Sequence, residues 1–185
     1  MKLTVLMAGA AMTALALTAC SEASNKQAAA PTEKAKEAAG SQTIAAGLGD
    51  AKKFADAAKA SGLEATLAGP GPYTVLVPTD AAFDKMPAGA LDTLMKPEAR
   101  SDLTAVMTYH ILPGTILADD IGKAIDAGKG KAQLPTMGGG TLTATRDGDA
   151  IVLADKAGTK ARLVGGEEQR SNGVIHRIDA VMMPS

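Results

Sequence analysis

Apolar residues recur along this chain first with the period of a helix and later with the period of a strand. Ile44, Leu48, Ala51, Phe54, Ala55 and Ala58 share one helical stripe, and Asp50, Lys52, Lys53, Asp56 and Lys59 lie opposite, so Ile44 to Ser61 is expected to bury one face. Gly47 and Gly49 interrupt it, predicting a short first turn and then a longer helix that Gly62 caps. Leu63 to Leu67 begins another helical piece, which Gly69-Pro-Gly-Pro72 breaks. Tyr73-Thr-Val-Leu-Val77 reads as a strand stopped by Pro78, and Thr79 or Asp80 is placed to cap a helix starting at Ala81. Pro87 to Met95 predicts a short helix, Pro97 to Tyr109 a longer amphipathic one, and Ile116 to Ala127 another, closed by Gly128.

From Lys131 the period changes to two. Ala132 to Leu134, Gly138 to Thr145, Ala150 to Leu153 and Lys160 to Val164 read as short antiparallel strands, with Asp147-Gly148 as a hairpin signal. The last stretch, Ser171-Asn-Gly-Val-Ile-His-Arg-Ile-Asp-Ala-Val-Met-Met-Pro184, opens on an Asn-Gly turn and is rich in β-branched residues, so it predicts a closing strand. Its natural partner is Tyr73 to Val77, about a hundred residues earlier. Those two runs should form the middle of one sheet. The whole is an α+β domain: a compact β-sandwich or wedge of short strands with several helices packed at one side.

Together the two runs resemble the two sequence boxes of the fasciclin domain family. The first reads Tyr73-Thr-Val-Leu-Val-Pro-Thr-Asp-Ala-Ala-Phe83 and the second Ser171-Asn-Gly-Val-Ile-His-Arg-Ile-Asp-Ala-Val181, with Tyr109-His110 between them as a Tyr-His pair is in the family. Leu76 stands where the family usually carries an aromatic residue, and Arg177 where it usually carries an aliphatic one. The resemblance implies that residues 43–185 are one fasciclin domain, and that Thr79, Asp80, Asn172, Gly173, His176 and Asp179 are box residues with structural parts. In animal members the Tyr-His neighbourhood is linked with receptor binding, which makes Tyr109 and His110 a candidate binding patch. Arg177 joins it, because a cation at that place suggests a face turned to solvent or to a partner.

The N-terminus carries a different signal. Lys2 is followed by an apolar run from Leu3 to Leu17 and then by Leu17-Thr-Ala-Cys20, a secretory signal over residues 1–19 ending at the only cysteine. The run is shorter than the ~20 residues of a spanning helix. Leu-Thr-Ala-Cys resembles the bacterial lipobox, which implies lipid on Cys20 and, with Ser21 next, export to the outer membrane if the envelope is Gram-negative. Residues 20–42 then form the lipidated cysteine and a flexible tether, rich in Ala, Ser, Lys, Glu and Gln and without apolar periodicity. A coil of that length has an r.m.s. reach of roughly 25 Å, enough to lift a small domain off lipid headgroups.

Composition narrows the chemistry. The formal charge is −1 and aromatic residues make up only 2% of the chain, with no Trp, so there is neither a phosphate-neutralising excess nor a stacking platform for nucleic acid. With 46% hydrophobic residues and nine Met, the core must be built from Ala, Leu, Val, Ile and Met. The two histidines, His110 and His176, lack the spacing of a metal site, and no cofactor is expected. Ser171, His110 and Asp80 could be counted as a triad, but no Gly-x-Ser-x-Gly elbow accompanies them. His110 is expected to fix a corner of the sheet, with Asp80 as one partner. His176 shares a strand face with Val174 and Ile178 and should sit against the core.

The function these readings predict is non-enzymatic. A monomeric, lipid-anchored binding protein of the cell surface or periplasm would meet a protein or carbohydrate partner, as in adhesion. The alternative is a carrier or sensor of a small apolar ligand, held in a crevice lined by Met and Leu.

Overall fold

The computed structural model describes residues 41–184, so the signal segment, Cys20 and the tether as far as residue 40 lie outside it. A 3-10 turn at Ala45–Leu48 leads into α1 (Lys52–Ser61) and α2 (Glu64–Ala68), as the two glycines predicted. Gly62 ends α1 in the left-handed conformation at φ 82°, its N–H donating to the carbonyls of Ala58 and Lys59. Next come β1 (Tyr73–Pro78), α3 (Asp80–Asp84), α4 (Ala90–Leu94), a 3-10 turn at Pro97–Ala99, α5 (Arg100–Tyr109) and β2 (Ile111–Pro113). The helix α6 (Ala118–Ala127) precedes a run of strands: β3 (Ala132–Pro135), β4 (Thr141–Asp147), β5 (Ala150–Ala154), β6 (Lys160–Arg170) and β7 (Gly173–Ile178).

The strands make one seven-stranded sheet in the order β2-β1-β7-β6-β5-β4-β3. Its pivot is the expected pair. β1 and β7 run parallel, in register from Tyr73 opposite Gly173 to Pro78 opposite Ile178, while the neighbouring pairs are antiparallel. At the far end the sheet curls back. Met137 N–H reaches the carbonyl of Ile111 at 2.7 Å and Gly138 N–H that of Thr108 at 3.1 Å, so the β3–β4 turn is tied to β2 and the sheet closes almost into a barrel. The anticipated α+β domain of short strands is thus a single sheet wrapped on itself, with the helices packed against it.

This wrapping gives two cores. Val75, Val77 and Ile175 pack outward against Phe54, Leu67, Leu103 and Val106 of the helices. Leu76 and Ile178 point into the barrel with Tyr109, Leu112, Ile121, Leu142 and Leu153. Alternate residues of β1 and β7 therefore serve opposite cores, which is why both runs are apolar almost throughout.

Two strands differ in length from the sequence expectation. β7 stops at Ile178, and the chain continues to Pro184 without regular structure, burying Val181 and Met182 on the way. β6 continues six residues past the predicted end at Val164, because Gly165-Gly166-Glu167 forms a bulge. Val164 faces Arg177, and pairing resumes at Glu168 opposite Ile175.

Gly173 is the residue the β1–β7 pairing tolerates least change in. Its φ is 150°, and a Cβ there would lie 1.8 Å from the carbonyl oxygen of Tyr73. Gly173→Ala is expected to cost about 4 kcal/mol or to abolish folding, as read from the midpoint of urea unfolding.

Candidate functional site

The box residues converge on the pivot and are used up there. Asn172, in the turn between β6 and β7, is buried and makes three bonds: its Oδ1 accepts from Ile44 N–H at 2.8 Å, and its Nδ2 donates to the carbonyls of Leu67 and Gly69, each at 2.8 Å. One side chain thus closes the start of the domain onto the end of α2 and the last hairpin. Thr79 caps α3 by accepting from Ala82 N–H at 3.2 Å. Asp80 caps a different helix, its Oδ1 accepting from Lys53 N–H at the start of α1 at 3.1 Å. Asp179 accepts from Arg162 N–H at 2.7 Å, joining the end of β7 to β6.

Both histidines are buried and both serve the backbone. His176 points into the barrel and, through Nε2, donates to the carbonyl of Ile116 at 2.7 Å. His110, directly after α5, donates from Nδ1 to Val106 O at 2.8 Å and accepts at Nε2 from Met182 N–H at 3.1 Å. Its ring also meets the edge of Phe54 with centroids 6.1 Å apart. The expected Asp80 partner is therefore replaced by Met182, because the tail after β7 turns back under α5 while Asp80 looks toward α1. Burial lowers the pKa of His110 from 6.5 to about 4, only partly offset by the bond to Val106. A proton on Nε2 would also oppose the N–H of Met182.

The candidate patch of Tyr109, His110 and Arg177 does not form a surface. Tyr109 is 2% exposed and sits inside the barrel. Burial, reinforced by the nearby charge of Asp155, raises its pKa above 10.0. Arg177, whose side chain is 11% exposed, is clamped: Nε donates to Glu168 at 3.0 Å, and Nη2 donates to Asp50 at 2.7 Å and to Gly47 O at 3.1 Å. Glu168 also pairs with Arg170. The cation that stood out in the sequence thus ties β7 to the first 3-10 turn and to β6.

Several residues that matter here escaped the sequence reading. Thr74 is buried in β1, donating to Gly114 O and accepting from Ile116 N–H, each at 2.8 Å. Asp155 accepts from Thr159 N–H at 2.8 Å and Met183 N–H at 3.2 Å, holding the β5–β6 loop and the C-terminal tail. Gly165-Gly166, between Val164 and Glu167, is itself a bulge signal. That bulge separates a groove of ≈ 160 Å³ reaching Ala118, Asp149 and His176 from one of ≈ 490 Å³ walled by Asp50, Thr79, Glu168 and Arg177. Ile151, Leu163 and Val164 line the smaller groove beside Asp149, Glu167 and Arg177, and no Met lines either groove.

With this geometry in place, comparison with known proteins is direct. A profile of the fasciclin domain matches residues 49–184, and the chain belongs to that family. It is 34% identical over 142 residues to protein sll1483 of Synechocystis sp., spanning 76% of this chain and 71% of that protein. It is 36% identical over 114 residues to the cell surface glycolipoprotein MPB83 of Mycobacterium bovis, spanning 62% of this chain and 44% of the relative. Among solved structures, the FAS1 domain pair of the insect cell adhesion molecule Fasciclin I superposes with a TM-score of 0.68 at 18% identity, covering 77% of this chain and 51% of that one. At that identity the likeness concerns the fold.

Two measurements check the buried polar groups. Asn172→Ala strands one donor and two acceptors and should lower stability by about 3 kcal/mol in urea unfolding. Because the folded pKa of His110 lies below its unfolded value, its contribution is complete above pH 6.5 and is lost as pH falls toward 4. The difference in unfolding free energy between wild type and His110→Gln should therefore shrink by about 3 kcal/mol across that window.

Proposed function

We propose that this chain is a lipid-anchored binding module of the bacterial cell surface or periplasm, acting in adhesion to another cell or to a surface. The observation that carries the reading is where the polar side chains are used. The two histidines, Tyr109, Asn172 and Thr74 all lie inside the fold, and the histidines, Asn172 and Thr74 are bonded to backbone groups there. Among the described residues the box chemistry thus builds a rigid scaffold, and recognition is left to the exterior. The family supports the reading through a relative named as a cell surface glycolipoprotein and a structural neighbour titled as an adhesion molecule. No helix among the described residues is long and apolar enough to cross a membrane. The anchor in this reading is lipid on Cys20, on the strength of Leu17-Thr-Ala-Cys20.

The physics of such an anchor fits adhesion. Each buried methylene contributes ~0.8 kcal/mol, so one acyl chain holds only marginally and two or three hold durably. Many copies on one surface then add weak contacts by multivalency. Deleting the gene from its bacterium should reduce attachment in a biofilm assay, and the wild-type gene should restore it. Cys20→Ser should lose metabolic labelling by palmitate, leave the membrane fraction and fail to restore attachment. Full attachment by the deletion strain would sink the adhesive role, and a membrane-bound Cys20→Ser protein would sink the anchor.

A further inference from the structure

The outward face of β4, β5 and β6 holds an open groove of ≈ 580 Å³ that none of the box residues but Asp179 touches. Its floor is made of Thr143, Thr145, Val152 and Ala154, half-buried residues with short side chains. The strand register puts Thr143 opposite Ala154, Thr145 opposite Val152, Val152 opposite Arg162 and Ala154 opposite Lys160. The floor is therefore level, and longer side chains rise on both sides: Lys131 before β3, and Lys160 with Arg162 on β6.

Charge on this face is sorted. Arg162 pairs with Asp147 and Arg146 with Asp126, while Asp179 lies 3.6 Å from the ammonium of Lys85. Each of those cations is thus matched by one acid. Lys131 and Lys160, both exposed, have no carboxylate partner among the described residues. The whole chain carries −1, so everything outside this face is net acidic. Two cations without a carboxylate partner on one groove draw an anion to it.

We propose that this groove docks a linear, carboxylate-bearing polysaccharide. The inference deepens the adhesive reading and rests on it, naming the chemistry of the surface being gripped. A trough about 14 Å across, the width of three strand spacings, with lysines on opposite rims, suits an extended chain better than a flat lipid surface, which the recessed floor would not touch. The floor can hydrogen-bond as well. The Thr143 hydroxyl accepts from Gln133 at 3.2 Å and keeps its own proton to donate, and that of Thr145 donates to Val152 O at 3.4 Å and keeps its lone pairs for a sugar hydroxyl. No aromatic ring lines the groove, so recognition rests on charge and hydroxyls, and binding must weaken as salt rises.

The test uses the full chain with polygalacturonate as the probe, read by biolayer interferometry beside neutral dextran and vesicles of phosphatidylcholine with phosphatidylglycerol. Binding to polygalacturonate alone is expected, falling as ionic strength rises. Lys131→Glu with Lys160→Glu should weaken it about fivefold or more, what two rim-exposed ion pairs are worth. Lys52→Glu with Lys96→Glu, the same change in net charge on exposed residues elsewhere, should leave it unchanged. All four side chains are exposed, so both pairs should keep the wild-type melting curve. Absence of binding to polygalacturonate, equal loss in the two pairs, or lysine-dependent binding to the vesicles would overturn the proposal. If attachment of the deletion strain is impaired all the same, the adhesive role stands and only this partner falls.

Discussion

Parallel pairing of β1 with β7 is the constraint on which the rest of the domain depends. Parallel neighbours cannot be joined by a hairpin, so everything between Thr79 and Asn172 is one long connection that must return the chain to where it began. That connection carries four of the six helices and the remaining five strands, and it wraps around the pair as it returns. Strands buried on both faces need apolar residues at consecutive positions, and Val75, Leu76, Val77, Val174 and Ile175 supply them. Such distant pairing is entropically costly to form, so the contacts that close it must be well made.

The buried polar groups provide that closure. Asn172 ties the last hairpin to both the entry of the domain and α2, and Thr74 and His176 hold the segment from Gly114 to Ile116 against β1 and β7. His110 ties the end of α5 to the tail after β7. Each of these side chains meets a backbone group that the irregular connections would otherwise leave unpaired. A burial cost is thereby offset, and the register of the sheet is fixed by hydrogen bonds that only one arrangement satisfies.

Much of this frame was legible in the sequence because local chemistry and global fold agree there. The β-branched runs, Pro78, the Asn-Gly turn and Gly62 each signal an element that forms where expected. What was not legible depends on neighbours that only the fold creates. Tyr109 ends an amphipathic helix and could face either way; the curl of the sheet that puts it inside rests on the β3–β4 turn meeting β2, a contact no local pattern encodes. His110 lost its expected partner for the same kind of reason, since the path of the chain after Ile178 decides which N–H reaches the ring. Glu168 lies beyond the expected strand end at Val164, yet the strand resumes after the bulge and Glu168 becomes the shared counter-ion of two arginines. Arg177 looked exposed because a charge was judged by type, before its partners were known.

The clasp at the entry of the domain also has a mechanical meaning. Gln42 is held by Ser171 N–H at 2.9 Å and by Arg170 at 3.1 Å, Ile44 by Asn172, and Gly47 by Arg177. Tension arriving along the polypeptide from its N-terminal side would load these tie points in order, from residue 42 inward, before any of it reached α1. The hairpin that receives the load leads straight into β7 at the middle of the sheet. A domain fastened in this way can yield at its margin under a tug and re-form its bonds on release, while the pairing that defines its shape stays intact.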